Sequence, residues 1–322
     1  MNKKVIEKTL KLLDDNSEWE GRYVEYIENL VKKRAKGFRA PEGLSVYSSV
    51  SRHKGGTFDL RFDGQSVGEI FSKSGKVLLK PREKANETYF GFQLKENGFD
   101  WRDSNEAKKF RKFFRDKSKE SDDIKLKSPE HRVENRLLKE FAKRTRAEEK
   151  ALTGIQPIKL NGCFFQLPTP VKASDHKPKY AKQNGGGIDI LSRVKRLNGV
   201  SRLCVMEVKD ENKKGESQAM AMEQALTYAT FIAKLLRSKS GQKWWDFFMG
   251  RDSTSSPVPV TLDIDVVSIM PSEPKTKEFV NEIIPIPGLK ANFHCHSLYY
   301  DDNEFKNGKF VFSGTYPELL MK

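Results

Sequence analysis

The run CVMEVKDE at 204–211 places acid and base inside an apolar segment. Residues 204–208 read as a buried strand, yet Glu207 and Lys209 stand two positions apart. Strand side chains alternate between faces, so these two share a face with Leu203 and Val205, while Met206 and Val208 take the other. Burying a charge is costly, and pairing it often fails to recover its desolvation. A second carboxylate, Asp189, lies in GGGIDIL between Ile188 and Ile190. Two carboxylates brought face to face repel each other unless a cation lies between them. Hard divalent ions take one or two carboxylates, keep waters and share their remaining positions with substrate phosphate. A lysine beside such an ion orients or helps deprotonate a metal-bound water and offsets charge as a phosphodiester is attacked. An ordinary ion pair at the mouth of a sheet is the competing account of the same residues.

Whether the acids meet depends on the hairpin that carries them. Residues 188–209 read as two strands around Asn198-Gly199, a strong hairpin signal. A two-residue turn pairs Asp189 with Val208 and separates the acids. A three-residue loop, with Gly199 left-handed, pairs Arg196 with Val200 and hence Asp189 with Glu207. The second register also sets Ile188 against Val208 and Ile190 against Met206, giving one apolar side, and leaves Gly187 opposite Lys209. The apolar pairing favours it, and a bulge near Asp189 gives the same result.

Other elements are expected around this hairpin. Residues 2–14 and 18–35 have the periodicity of short amphipathic helices. From 44 to 102 short runs such as GTFDLRF, GKVLLKP and TYFGFQL, broken by Gly, Asp and Pro, suggest a small antiparallel sheet. A helix over 105–119 turns Phe110, Phe113 and Phe114 inward, and the polar stretch 119–130 is the expected domain boundary. Beyond it come a helix with Ser128 as N-cap and Pro129 in its first turn, a strand at 163–171, and a basic, glycine-ended loop at 174–187. After the hairpin follow a helix at 215–238 and strands at 260–271 and 291–300.

Asp189, followed 18 residues later by Glu207-Val208-Lys209, resembles the D…(D/E)-x-K pattern of the PD-(D/E)xK nuclease superfamily. The order of elements from 129 to 271 is similar to its αβββαβ core. Gln224 and Tyr228 in EQALTYA form a Q-x-x-x-Y that resembles the extra motif of the RecB-like and lambda-exonuclease-like branch. They share a helix face with Met220, Phe231 and Leu235, where a lone glutamine needs a polar partner. The resemblance implies an α/β fold, with a restriction-endonuclease-like mixed sheet flanked by helices at 125–322 and an N-terminal α+β domain at 1–120. It implies Mg²⁺ or Mn²⁺ held by Asp189, Glu207 and the Val208 carbonyl, with Lys209 positioning the attacking water. Glu134, on the preceding helix, is expected to add a metal or water contact, with Glu130 one turn earlier competing for that role. Gln224 and Tyr228 are expected to orient the site or the scissile phosphate. The implied activity is metal-dependent hydrolysis of single- or double-stranded DNA. Endonuclease and exonuclease stay open, and a non-catalytic nucleic-acid-binding or scaffold protein that keeps the fold is the alternative. Ile188 stands where the superfamily often has proline, and the cluster cysteines of some RecB-like members are absent.

The bulk composition agrees with a polyanion as partner. The chain has 322 residues and a net charge of +15, from 59 Lys and Arg against 44 Asp and Glu. Such an excess raises the local concentration of nucleic acid and speeds encounter with it. Lys177, Lys179 and Lys182 precede the glycines that lead into Asp189, and are expected to contact a DNA backbone. The N-terminal domain is expected to bind substrate or a protein partner, and for the chain as a whole a protein partner or a homo-oligomer is expected. Three widely spaced cysteines without a C-x-x-C pair argue for a reducing compartment and against a zinc ribbon. Without an apolar leader or a span-length apolar stretch, a cytoplasmic location and no membrane partner are expected. His294 and His296 alternate on one strand but lack a third ligand at a recognisable spacing, and the aromatics of KWWDFF are expected in the core.

Overall fold

A computed structural model describes residues 2–32, 41–49, 57–94, 98–120, 129–143, 154–160, 162–173, 177–181, 186–195, 201–210, 216–250, 256–272 and 280–316. The chain opens with two amphipathic helices, α1 (Asn2–Asp14) and α2 (Glu18–Lys32). Ile6, Thr9 and Leu13 are the buried stripe of α1, at the spacing of one helix face. Two compact units follow from the contacts: residues 29–137 with 159–166, and residues 1–28, 138–158 and 167–322. This differs from a single cut between 120 and 125. The first residues count with the later unit because α1 packs against a helix of that unit and because Trp19 and Tyr23 stack edge-on to Phe231.

In the first of these units, β1 (Ser45–Ser49), β2 (Thr57–Phe62), β3 (Gln65–Lys73) and β4 (Lys76–Pro81) form an antiparallel meander. Asp63-Gly64 closes β2 to β3 in two residues, with φ of 45° and 90°. Positive φ at both centres is what a type I′ hairpin turn requires. Gly64 is also required by crowding, because a Cβ there would lie 2.2 Å from the His131 carbonyl oxygen. The segment TYFGFQL, expected as a strand, instead ends a helix, α3 (Glu83–Phe90). Gly91 adopts the left-handed conformation and its N–H reaches the Asn86 and Glu87 carbonyls, a C-terminal cap that a strand would not need. β5 (Phe99–Asp100) and α4 (Asn105–Lys117) complete this part, with Ser104 capping α4 and Phe110 and Phe114 buried in the core.

The helix expected after the polar stretch is α5 (Pro129–Phe141), and Ser128 lies outside the described residues. The strand expected at 163–171 is broken into pieces. β7 (Lys159–Leu160) and β8 (Cys163–Gln166) join the first sheet, whose order is β5-β4-β3-β2-β1-β8-β7. β9 (Pro168–Thr169) and β10 (Val171–Lys172) leave it. Pro168 and Pro170 have no N–H to continue a ladder, so the chain changes partners at them.

The second unit holds the Glu-x-Lys strand. Its main sheet starts with β6 (Ile155–Pro157). The ribbon β10–β11 (Lys179–Tyr180) and the pair β9–β12 (Gly186–Gly187) lead into β13 (Ile190–Lys195) and β14 (Ser201–Val208). Helices α6 (Gln218–Leu236) and α7 (Gly241–Met249) then connect to β15 (Leu262–Pro271). β16 (Asn281–Ile286), β17 (Ala291–Tyr300), α8 (Asp302–Lys306) and β18 (Phe312–Gly314) finish the chain. The sheet order is β16-β17-β15-β14-β13-β6, with β18 on β17. β6, β13 and β14 are antiparallel neighbours, whereas β15 runs parallel to both β14 and β17. The fold is therefore mixed α/β. α6 covers β14 and β15 on one side and α1 on the other, so it is apolar nearly all round. Its core threonines, Thr227 and Thr230, return their hydroxyls to the Glu223 and Leu226 carbonyls. Among the described residues no helix is long and apolar enough to cross a membrane. All three cysteines are buried, and none of them is in a disulfide.

Candidate functional site

The ladder between β13 and β14 runs from Lys195↔Ser201 to Ile190↔Met206, the register expected with the longer loop. The turn itself, with Asn198 and Gly199, lies outside the described residues. One step beyond Ile190↔Met206 places Asp189 across from Glu207, but the backbone ladder stops there. The Ile188 N–H turns to the Leu167 carbonyl, and the Asp189 Oδ2 accepts the Val208 N–H at 2.9 Å. A side chain has replaced a backbone acceptor, and Asp189 is thereby fixed to the centre of the Glu-x-Lys triplet.

β14 is buried on both faces, so Glu207 and Lys209 keep only 4% of their surface exposed. The Lys209 Nζ donates to Glu207 Oε1 at 2.8 Å and lies 3.5 Å from Glu216 Oε2. Its backbone is held from both sides, because its N–H reaches the Ile269 carbonyl and its own carbonyl accepts the Tyr300 hydroxyl at 3.1 Å. A charge paired at this depth is positioned as well as neutralised. In the parallel register Glu207 stands beside Ser268, which in turn stands beside Ser297. Gln218, the first residue of α6, donates to the Ser268 hydroxyl.

α6 brings its polar pair to the same end of the strands. The Tyr228 hydroxyl is buried, and burial pushes its ionisation well above the ordinary tyrosine value; Glu207 and Asp189 raise it further, while Lys209 opposes them. That phenol is therefore neutral and lies within the electrostatic reach of all three triplet-related charges. Ala173 gives it a backbone hydrogen bond. The Gln224 Nε2 donates to the Ala173 carbonyl at 3.2 Å. The lone glutamine of the apolar stripe has thus found a backbone partner, and Q-x-x-x-Y holds the main chain of one residue, Ala173, at both its N–H and its carbonyl.

The structure brings together Asp189, Glu207, Val208, Lys209, Gln224 and Tyr228 in one unit. Lys177 and Lys179 are exposed on or next to the β10–β11 ribbon, and Lys182 lies outside the described residues. Glu134 belongs to the other unit and is 2% exposed there. It accepts from the Gln166 Nε2 at 3.2 Å, meets the His131 Nδ1 at 3.2 Å and has the Arg61 guanidinium at 4.0 Å. His294 pairs with Asp263 at 2.7 Å, and His296 with the Thr315 carbonyl at 2.9 Å. Trp244 is buried and donates to the Tyr23 carbonyl.

Four contributors were not singled out from the sequence. Glu216 precedes the α6 N-cap Ser217, a place where an acid has its own structural reason to be. Tyr300 and Ala173 act through backbone contacts that leave no trace in residue type. Gly186 belongs to the glycine run already noted, but its reason is steric: a Cβ there would come 2.6 Å from the Tyr228 hydroxyl oxygen.

Among the described residues no group of three or more His, Cys, Asp or Glu is assembled for a metal. The donors at this site are two carboxylates and a main-chain carbonyl, all hard oxygens. That set fits a magnesium-type ion, which completes its shell with water and phosphate, and does not fit a nitrogen- or sulfur-ligated zinc. Comparison of the chain with protein-family models, with curated proteins and with solved structures finds no match.

Proposed function

We propose that the chain is a metal-dependent deoxyribonuclease that hydrolyses DNA phosphodiester bonds, on a core of the restriction-endonuclease-like type. The single observation that carries this reading is the bond from the Val208 N–H to Asp189, which ties one acid to the strand that presents Glu207 and Lys209. The order α5, β6, β13, β14, α6, β15, with β15 parallel to β14, supports the αβββαβ assignment. Asp189, Glu207 and the Val208 carbonyl would hold Mg²⁺ or Mn²⁺. When bound, the ion acts as a Lewis acid on the phosphoryl oxygen and lowers the pKa of a coordinated water.

The remaining work belongs to the chain's own side chains. Lys209, fixed by Glu207, Glu216 and its own backbone contacts, keeps an ammonium where negative charge grows on the phosphate. Tyr228, neutral and bonded to the Ala173 backbone, orients this end of the site without adding negative charge beside the carboxylates. Burial around the triplet excludes bulk water, which strengthens each of these interactions.

Purified protein incubated with linear, circular and single-stranded DNA, in Mg²⁺ or EDTA, tests the reading. Cleavage is expected only with metal, and Glu207→Ala and Lys209→Ala are expected to abolish it while DNA binding persists. Cleavage of closed circles identifies an endonuclease, and a requirement for ends an exonuclease. Metal-dependent cleavage that survives both substitutions would overturn the assignment, and binding with no cleavage by the unmodified chain would leave only a DNA-binding protein of this fold.

A further inference from the structure

We propose that the β10–β11 ribbon is the clamp that holds the DNA backbone beside the site, and that Gln224 and Tyr228 are positioning residues that act by fixing this ribbon. The inference rests on reading the substrate as DNA. Lys172 and Lys179 lie directly opposite each other across the ribbon, and Lys177 is two residues from Lys179. All three are exposed.

Two cross-strand pairs, Val171↔Tyr180 and Lys172↔Lys179, are too few to stabilise a ribbon alone. Its anchorage comes from the unit around it. Val171 is fully buried, the Ala181 N–H reaches the Pro170 carbonyl, and Arg22 donates to the Tyr180 hydroxyl. On the α6 side the anchor is Ala173, 2% exposed and gripped at its carbonyl by Gln224 and at its backbone hydrogen bond by Tyr228.

Lys172 directly precedes Ala173 in the chain, so its backbone lies within about 4 Å of the gripped residue. Tyr228 in turn lies in the field of Asp189, Glu207 and Lys209. The ribbon therefore begins at the catalytic end of β14. Asp189 and Glu207 repel a polyanion, and a basic ribbon at their edge supplies the opposite field that draws phosphates across them. In this arrangement Q-x-x-x-Y sets the distance between the phosphate held by lysine and the phosphate that is cleaved.

The test is fluorescence anisotropy of short fluorescein-labelled duplex and single-stranded DNA, titrated in EDTA at several salt concentrations. Each duplex phosphate contact adds roughly 0.9 to the slope of log affinity against log salt, so Lys172→Ala with Lys179→Ala is expected to lower that slope by about 2. Lys172→Arg with Lys179→Arg is expected to keep it. Gln224→Met and Tyr228→Phe are expected to weaken DNA binding while Mn²⁺ affinity, read by calorimetry, is unchanged. A salt slope unaltered by loss of both lysines overturns the ribbon as the clamp. Loss of Mn²⁺ affinity in Gln224→Met or Tyr228→Phe overturns the positioning role and assigns these side chains to the metal site. Because binding is read in EDTA, a chain that needs the ribbon for DNA yet cleaves nothing in Mg²⁺ supports this inference and sinks the hydrolase reading alone.

Discussion

At the scale of single residues, the site is built by contacts that leave no slack around Tyr228. Its hydroxyl is enclosed by burial, by the Ala173 backbone and by Gly186, where even a methyl group would approach to 2.6 Å. Gly186→Ala is therefore expected to destabilise the chain by about 1–3 kcal/mol, the usual cost of overpacking. The severe clash is with one oxygen atom, the ring carbons lying at 3.3–3.4 Å, so removing that atom should remove most of the cost. In a Tyr228→Phe background the same Gly186→Ala change is expected to cost much less, a coupling that urea unfolding of the four variants measures. Additive costs would show that Gly186 is required for backbone reasons and not by the hydroxyl. Asp189 makes a parallel point. Its residue type was legible as a charge in an apolar strand, whereas its bond to the Val208 N–H depends on Ile188 having turned to Leu167, a long-range choice that no local pattern encodes.

At the scale of elements, the parallel strands are held in step by one side chain at the end of α6. The Arg237 guanidinium donates to the carbonyls of Pro259, Val260, Leu289 and Lys290 at 2.7–3.0 Å. These lie just before β15 and β17, so the fork ties the starts of both strands to the helix that covers them. Arg237→Ala is expected to lower stability by about 1–3 kcal/mol, and Arg237→Lys to recover little, because an ammonium cannot span the same four acceptors. The urea midpoint should fall with an unchanged slope; an equal midpoint for Arg237→Lys and the parent would mean that charge alone suffices. Legibility at this scale follows where period and side-chain chemistry agree. The β13–β14 register was readable because only one pairing puts Ile190 against Met206 and keeps one side apolar. β6 was not foreseen: three residues ending in Pro157 carry too little pattern, although they pair with β13, the strand that follows Asp189. The segment at 163–171 read as one strand from its apolar content, but prolines divided it into three strands, β8, β9 and β10, each with partners of its own.

At the scale of the whole molecule, the buried phenols of Tyr23, Tyr47 and Tyr228 are among the groups that set how the chain responds to alkali. Burial is the first cause that raises the ionisation of each; the phenol of Tyr26 adds to it for Tyr23, the carboxylate of Glu134 for Tyr47 and that of Glu207 for Tyr228. In the unfolded chain a tyrosine ionises near pH 10. A group whose folded ionisation lies above its unfolded value contributes stability that is intact below the unfolded value and is lost as pH climbs toward the folded one. Stability is accordingly expected to be unaffected by these groups at neutral pH and to fall steadily above about pH 10, as the unfolded state releases protons that the folded state keeps. The two units each hold at least one such phenol, Tyr47 in one and Tyr23 with Tyr228 in the other. Alkaline loss of structure should therefore reach both. Phenolate absorbance followed alongside circular dichroism checks this: the buried tyrosines should titrate together with loss of structure, after the exposed ones. Tyr47→Phe and Tyr228→Phe should each shift the alkaline unfolding midpoint upward, since each removes one proton-releasing group from the unfolded state. If full phenolate absorbance develops while the dichroism of the native chain persists, the hydroxyls are open to solvent, and a buried, neutral Tyr228 is no longer tenable.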